Sequence, residues 1–426
     1  MAKFVGYICS LCRTEYAPEE ITYTCPKDGG NLDVVLDLDS IKAKYEPDDI
    51  LSRTDPSLWR YLPLLPVSVP EGDSTPLHAA GGTPVFKLTS LAEKLGLQNL
   101  WLKDESKNPT ASFKDRASAI VVARAQEIKA EVVVTASTGN AGAALAGMSA
   151  AVGQKAIIFA PKSAPQAKVA QLLIFGAKVI LVDGTYDDAF DLTVKASNEF
   201  GWYCRNTGYN PFTTEGKKTA AFEIWEWWQE AHAKWHHEFG ENLDHAPLTV
   251  FVSVGDGNII SGIHKGFKDL YQLGWLPRMP RIMGVQAEGS AAISNAFHGN
   301  TEKITAVSAK TIADSISVDL PRDGVRAIRT VKETGGTYVN VSDEEILKSI
   351  AELGQVGVFA EPAGAAAYAG LVKGTATGLV GSDDPILVIN TGSGLKDVRA
   401  AMSAVEPAPI IEPTLEALKR ILQGTA

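Results

Sequence analysis

Lys114 stands in the stretch Asn108-Pro-Thr-Ala-Ser-Phe-Lys-Asp-Arg116, among turn-forming and small residues, ahead of a helical pattern from Ala117 to Ile128. Asn108-Pro109 reads as a turn, Thr110 and Ser112 as caps, and Lys114 then falls in the opening turn of the helix. Backbone N–H groups and the positive helix end disfavour a further cation there, which lowers the pKa of the amine. A neutral amine attacks an aldehyde where an ammonium does not, so Schiff-base chemistry is open to Lys114. Ser137-Thr-Gly-Asn140 follows an apolar strand pattern and opens a helix, so its N–H groups and hydroxyls address an anion. Gly255-Asp-Gly-Asn-Ile259 is placed the same way after Thr249–Val252, and its two glycines let the backbone wrap a phosphate. Asp256 is unfavourable beside a phosphate unless its carboxylate turns away, so the backbone carries that role. Cys9-x2-Cys12 and Cys25-x2-Asp28 have the paired spacing of a zinc ribbon, with Asp28 where a fourth thiolate would complete the tetrahedron. Two readings stay open for Cys9, Cys12, Cys25 and Asp28: a zinc site, or a ribbon-shaped hairpin without metal. His232 and His236 have an i, i+4 spacing with His237 beside them, but no carboxylate or Glu-x-x-His pattern joins them. The four tryptophans of that helix read as packing.

Several of these stretches resemble one family. The lysine stretch is similar to the pyridoxal-phosphate lysine motif of the threonine synthase family, Asn-Pro-Thr-Gly-Ser-Phe-Lys-Asp-Arg, with Ala111 in place of glycine. Ser137–Asn140 matches the Ser-Thr-Gly-Asn loop of fold-type II pyridoxal-phosphate enzymes. Val254–Ile259 resembles their glycine loop, with Asp256 for the usual asparagine and Asn258 one place early. Thr391-Gly-Ser-Gly-Leu-Lys-Asp397 resembles a near-terminal Thr-Gly-His-Gly-Leu-Lys-Asp, with Ser393 for histidine. Glu361-Pro-Ala-Gly-Ala365 is a further match and reads as structural. The resemblance implies that Lys114 is catalytic and holds the cofactor covalently, and that Ser137, Thr138 and Gly139 grip the substrate carboxylate. It places Asn140 at the ring hydroxyl, Thr391 at the pyridine nitrogen, and Gly255, Asp256, Gly257, Asn258 and Ile259 at the cofactor phosphate. A hydroxyl does not force the ring nitrogen to stay protonated, so proton traffic falls to Lys114.

The substrate is less plainly written. Where the family has Gly-Asn-Phe/Tyr-Asp-Asp-Ala-Leu-Arg, this chain has Gly184-Thr-Tyr-Asp-Asp-Ala-Phe-Asp191; where it has Asn-Pro-x-Arg, Thr213 stands for the arginine. A dianionic phosphate in a buried site wants guanidinium donors, so losing two arginines and gaining Asp191 is an objection to O-phosphohomoserine. Lys217, Lys218 and Arg205 are the candidates to compensate, with one of the three expected to face the cofactor. The resemblance makes threonine synthase the first reading, a lyase acting on an amino acid with a β or γ leaving group. The alternatives are a cysteate synthase-like β-replacement enzyme or a threonine/serine ammonia-lyase, to which Thr311-Ile-Ala-Asp-Ser315 leans. Retention of Lys114, Asn140 and the glycine loop speaks against a non-enzymatic paralogue.

Alternating strand and helix patterns with glycine-rich turns between residues 117 and 200, and again from 248 to 390, predict an α/β protein with mostly parallel sheets. The expected organisation is that of a fold-type II enzyme with two open sheet lobes: a ribbon-like module over 1–40, a large cofactor-binding domain over 41–125 and 218–426, and a small domain over 126–217. Ligand loops belong at the carboxyl ends of such strands, where 136–140 and 255–259 fall. A long helix is expected from Thr219 to Phe239, opened by Lys217 and Lys218.

With 426 residues the chain exceeds one typical core, and its 45% apolar and 21% charged residues exclude wholesale disorder. A formal charge of −10 excludes a non-specific nucleic-acid binder. No run of 18 apolar residues and no signal-peptide core is visible, so the expected compartment is the cytoplasm. Four cysteines in this length form no disulfide framework. A small-molecule amino-acid substrate and a homodimer are the expected partners.

Overall fold

A computed structural model describes residues 4–70, 74–164, 166–239 and 246–424. Three sheets organise them. Strands β1 (Phe4–Cys9), β2 (Glu15–Tyr16) and β3 (Leu32–Leu36) make a small antiparallel ribbon in the order β2-β1-β3. A six-stranded sheet takes β4 (Val85–Lys87), β5 (Leu100–Asp104), β10 (Thr249–Ser253), β11 (Arg281–Ala287), β12 (Tyr338–Val341) and β13 (Ile386–Asn390), in the order β12-β11-β10-β13-β5-β4. Every pairing in it is parallel except that of the edge strand β4. The third sheet, wholly parallel, joins β6 (Val132–Ala136), β7 (Lys155–Pro161), β8 (Lys178–Val182) and β9 (Tyr203–Cys204) in the order β8-β7-β6-β9.

The α/β expectation with mostly parallel sheets is met, because the central strands β5, β6, β10 and β13 are mainly apolar and buried throughout. Helices cover those faces. Among them are the alanine- and glycine-rich helices Asn140–Ala151 and Pro362–Ala376, whose small side chains let a helix axis approach the sheet. At Gly370 a Cβ would stand 2.3 Å from Val285 Cγ2 of β11.

One boundary differs from the sequence reading with consequences for the site. The long helix runs Phe212–Phe239, seven residues longer at its start, so Lys217 and Lys218 lie in its second turn and do not open it. Asn210 Oδ1 accepts from Phe212 N at 2.9 Å and sets that earlier start. The stretch Leu58–Leu64 is a short 3-10 helix, with Trp59 and Tyr61 buried against the body of the fold. Trp225 and Trp275 stack with centroids 6.1 Å apart, as the packing reading of the long helix expects. The side chains of Trp235, His236 and His237 lie outside the described residues, and with them the His232/His236 pair. No described helix is long and apolar enough to cross a membrane.

Candidate active site

The carboxyl ends of β6, β10 and β13 and the loop after β5 converge on one cavity of about 530 Å³. Lys114 lines it, as the first residue of the helix Lys114–Glu127. The loop ahead of it is held from both sides. Phe113 N donates to Thr391 O at 2.9 Å, and Ser393 N donates to Ala111 O at 3.1 Å. Thr110 and Ser112 do not cap the helix as the sequence suggested. Instead the Asp115 carboxylate, inside the first turn, accepts from Thr110 N at 2.6 Å and from its hydroxyl. Ala111, at the place where the related motif has glycine, adopts φ 63°, the left-handed region that a β-carbon disfavours.

A buried charge network anchors the same helix. Arg116 donates to Glu105 at 2.7 Å and to both oxygens of Glu223 at 2.6 Å, and Lys103 Nζ donates to Glu223 at 2.7 Å. Two cations and two carboxylates balance, which is the condition under which charges survive out of water.

Burial chiefly pushes the Lys114 amine below the ordinary lysine value; Arg205 adds to the effect, while Glu361 and Asp256 oppose it. The direction is the one expected from the sequence, but its main cause is desolvation rather than the helix end. Lys217 is driven well below its usual value by burial first, then by the nearby Lys114 and Arg205. Its Nζ donates to Asn258 Oδ1.

Of the three candidate compensating cations, Lys217 and Arg205 line the cavity with Lys114. Lys218 does not: its Nζ is held by Glu215 at 2.6 Å and Asp269 at 2.9 Å, behind the helix. Arg205 is fully buried, with Nη1 on the Thr207 hydroxyl at 2.7 Å, Nε on the Ser118 hydroxyl at 3.3 Å, and Nη2 without a partner. Burial lowers its pKa to about 10. Among the described residues no carboxylate forms a salt bridge with this guanidinium.

The objection raised by Asp191 falls away, since its side chain is exposed and does not line the cavity. Thr213 is also off the cavity, donating to Asn210 O at 2.8 Å. Thr185 does line it.

Ser137, Thr138, Gly139 and Asn140 line the cavity as a strand-to-helix turn. Asn140 Nδ2 donates to the Glu361 carboxylate at 2.8 and 2.9 Å. Glu361, which sequence reasoning took as structural, thus belongs to the site. It precedes the helix Pro362–Ala376 without capping it through its side chain, and burial raises its pKa. Its one sequence signal was a carboxylate before a proline-started helix in a matching segment. Arg322 was missed altogether; it lines the cavity and donates to Asp187 at 2.9 Å.

Gly255, Asp256, Gly257, Asn258 and Ile259 line the cavity and lead into the helix Asn258–Leu273, whose first N–H groups have no intrahelical acceptor. A Cβ at Gly255 would stand 2.8 Å from Ile316 Cα, and one at Gly257, where φ is 91°, 2.7 Å from Asp323 O. Only glycine fits both places. The Asp256 carboxylate accepts from Arg322 N at 3.2 Å, and burial raises its pKa, which eases its presence near an anion. Thr391 is buried at the end of β13 and lines the cavity too. An amine of lowered pKa, an anion-wrapping glycine loop and an unpaired guanidinium fit a phosphorylated aldehyde cofactor.

Comparison with known proteins gives the class. A family model described as pyridoxal-phosphate dependent enzyme matches residues 77–392, and the chain belongs to that family. Within it, the threonine synthase of Methanocaldococcus jannaschii is 38% identical over 418 residues, 97% of this chain and 98% of the relative. The threonine synthase of Methanosarcina acetivorans is 37% identical over 424 residues, covering 98% of each chain. At that likeness, over almost the whole length, this is a member of the threonine synthase family. Solved structures agree on the fold: O-ureido-L-serine synthase has a TM-score of 0.63 at 17% identity, covering 80% of this chain and 98% of its own. Threonine deaminase isoform 2 from Solanum lycopersicum has a TM-score of 0.61 at 22% identity, covering 85% and 92%.

Proposed function

We propose that this protein is a pyridoxal-phosphate-dependent threonine synthase that converts O-phosphohomoserine and water to threonine and inorganic phosphate. The observation that carries the substrate is the cluster of Lys114, Arg205 and Lys217 on one cavity, with Arg205 Nη2 unpartnered. One guanidinium and one buried lysine supply the donors that the sequence had seemed to lose at Thr185, Asp191 and Thr213.

When bound, the cofactor acts as an electron sink that makes the protons on the carbons next to the amino group labile. The chain's residues do the rest. Lys114 presents a neutral amine, accepts the α-proton and then a β-proton at Nζ, and gives one proton to the γ-carbon once the phosphate has left. It returns the other to the α-carbon after water has added; the second proton of that water balances the hydrogen phosphate released. The hydroxyl of water ends on the β-carbon, so one C–O bond breaks and one forms. Arg205 and Lys217 bind the substrate phosphate and stabilise it as it departs. Backbone N–H groups of 137–140 orient the carboxylate. Glu361 fixes the Asn140 amide, and the buried Thr391 hydroxyl would serve the ring nitrogen of a bound cofactor in place of a carboxylate.

The reading includes a small domain over 126–217 that holds the whole four-stranded sheet, a homodimer as the working form, and the cytoplasm as compartment. Any metal at Cys9, Cys12, Cys25 and Asp28 stands outside the reaction, since none of the four lines the cavity. The test is a product assay on cofactor-loaded protein with O-phosphohomoserine, O-phosphoserine, threonine and serine. Threonine and phosphate released in equal amounts from the first support the proposal. Faster ammonia release from threonine or serine would replace it with the lyase reading.

A further inference from the structure

Cys9, Cys12, Cys25 and Asp28 bring one ligand atom each to within 4.8 Å of one another. Zinc–sulfur bonds of ~2.3 Å and zinc–oxygen bonds of ~2.0 Å in a tetrahedron set S···S at about 3.8 Å and S···O at about 3.5 Å. Cys12 Sγ and Cys25 Sγ lie 3.7 Å apart, and Cys9 Sγ lies 3.4 and 3.6 Å from the two Asp28 oxygens. These two opposite edges match those of a zinc tetrahedron, and the remaining ligand pairs lie within 4.8 Å.

The two arms fold alike. Arg13 N donates to Cys9 O at 3.1 Å, and Gly29 N donates to Cys25 O at 2.8 Å. Cys9 N donates to Thr14 O and Cys25 N to Gly30 O, both at 2.9 Å. Arg13 and Gly29 are both left-handed, at φ 61° and 72°. Two segments remote in sequence thus adopt one turn, each aiming its first and fourth side chains at a common point. In one of them a non-glycine residue accepts the left-handed conformation to do so. Leu11 N donates to Cys9 Sγ at 3.3 Å and Gly30 N to Asp28 Oδ1 at 2.8 Å, so the ligand atoms already carry backbone donors that orient them. A Cβ at Gly30 would stand 2.7 Å from Cys9 Sγ and 2.9 Å from Asp28 Oδ1, so the cluster needs glycine there.

Residues next to the cluster reach the cavity wall. Asn31, directly after the second turn, donates to Gly208 O at 2.5 Å and Arg322 O at 3.0 Å. Its own carbonyl accepts from Ser10 N of the first turn at 2.9 Å. Gly208 lies three residues after Arg205, and Arg322 N is the donor to Asp256.

We infer that the four side chains form a structural zinc site of three thiolates and one carboxylate, and that it braces the segments carrying Arg205 and Arg322. Soft thiolates in a closed tetrahedral set select zinc, and the carboxylate takes the fourth position. Each cysteine gives up its proton on ligation.

The test is metal analysis of the full chain with its cofactor, purified without chelator. About one zinc per chain is expected. Cys12→Ser and Asp28→Ala should each surrender zinc to a colorimetric chelator at least about tenfold more readily, and Asp28→Cys should hold it more tightly. Cys12 and Asp28 are the exposed members, so the buried Cys9 and Cys25 stay in place. Should a variant fail to fold, zinc titration of the stripped wild-type chain against a competing chelator decides the same question. The brace is read by hydrogen exchange: stripping zinc should speed exchange over 206–210 and 320–324 by about tenfold or more, with β10 and β13 unchanged. Metal-free protein that ignores added zinc, or a Cys12–Cys25 disulfide in the purified chain, overturns the site. Bound zinc whose removal leaves exchange unaltered overturns the brace. None of these measurements uses turnover, so an error in the substrate leaves them standing.

Discussion

Replacing Arg205 by methionine separates a group kept for a ligand from one kept for stability. Arg205 is fully buried, and its guanidinium has two hydroxyl partners and one empty nitrogen. Among the described residues no salt bridge to it is present. Losing the two hydroxyl contacts costs ~0.5–1.5 kcal/mol each, while removing an unsatisfied buried donor returns ~1–3 kcal/mol. The unliganded variant should therefore unfold within about 1 kcal/mol of wild type, although a fully buried cation has gone. Ligand binding should behave differently. Loss of a charge-assisted bond to phosphate weakens it by ~1.5–3 kcal/mol, or about 10- to 150-fold in affinity. Urea unfolding with and without inorganic phosphate measures both quantities on one protein, and the Michaelis constants for O-phosphohomoserine and threonine assign the effect to the substrate. Destabilisation beyond about 3 kcal/mol with phosphate affinity unchanged would make Arg205 a structural residue and refute the reasoning. Weakened cofactor retention with an unchanged Michaelis constant would move it to the cofactor phosphate.

Other expectations are independent of that one. Lys114→Ala should abolish the borohydride-reducible cofactor linkage, read by mass spectrometry; persistence of the linkage puts it on another lysine. Ala111→Gly should relieve a left-handed alanine and raise stability by up to about 1 kcal/mol in denaturant unfolding, the strain of ~1–2 kcal/mol being partly offset by glycine's entropy. Because the folded-state pKa of Lys114 is depressed, the unfolded chain binds the proton more tightly; this term's contribution to stability rises with pH between the depressed value and about 10.4. Glu361→Gln removes an opposing charge and should lower the Lys114 midpoint further, measured as the pH dependence of its reductive methylation in cofactor-free protein; an upward shift contradicts the assigned sign.

The sequence made the parallel sheets and their ligand-bearing turns legible because buried strands ending in Ser-Thr-Gly-Asn or Gly-Asp-Gly-Asn leave little choice of conformation. Lys114 was legible for a similar reason, with a turn ahead of it and a helix behind. What stayed hidden depends on direction. Whether Asp191 points at the cavity is decided by its phase on the helix Tyr186–Phe200, and the N-cap at Thr185 sets that phase. The same uncertainty covered Lys217 and Lys218. They are adjacent, but successive helical side chains diverge by about 100°, so Lys217 meets Asn258 and the cavity while Lys218 meets Asp269 behind it. Glu361 was hidden for a different cause. Its segment is dominated by small residues that let a helix approach the sheet, and that close approach is what carries the carboxylate to Asn140. Residues read as mere packing can therefore set the electrostatics of a site, when the packing is what delivers a charged group to it.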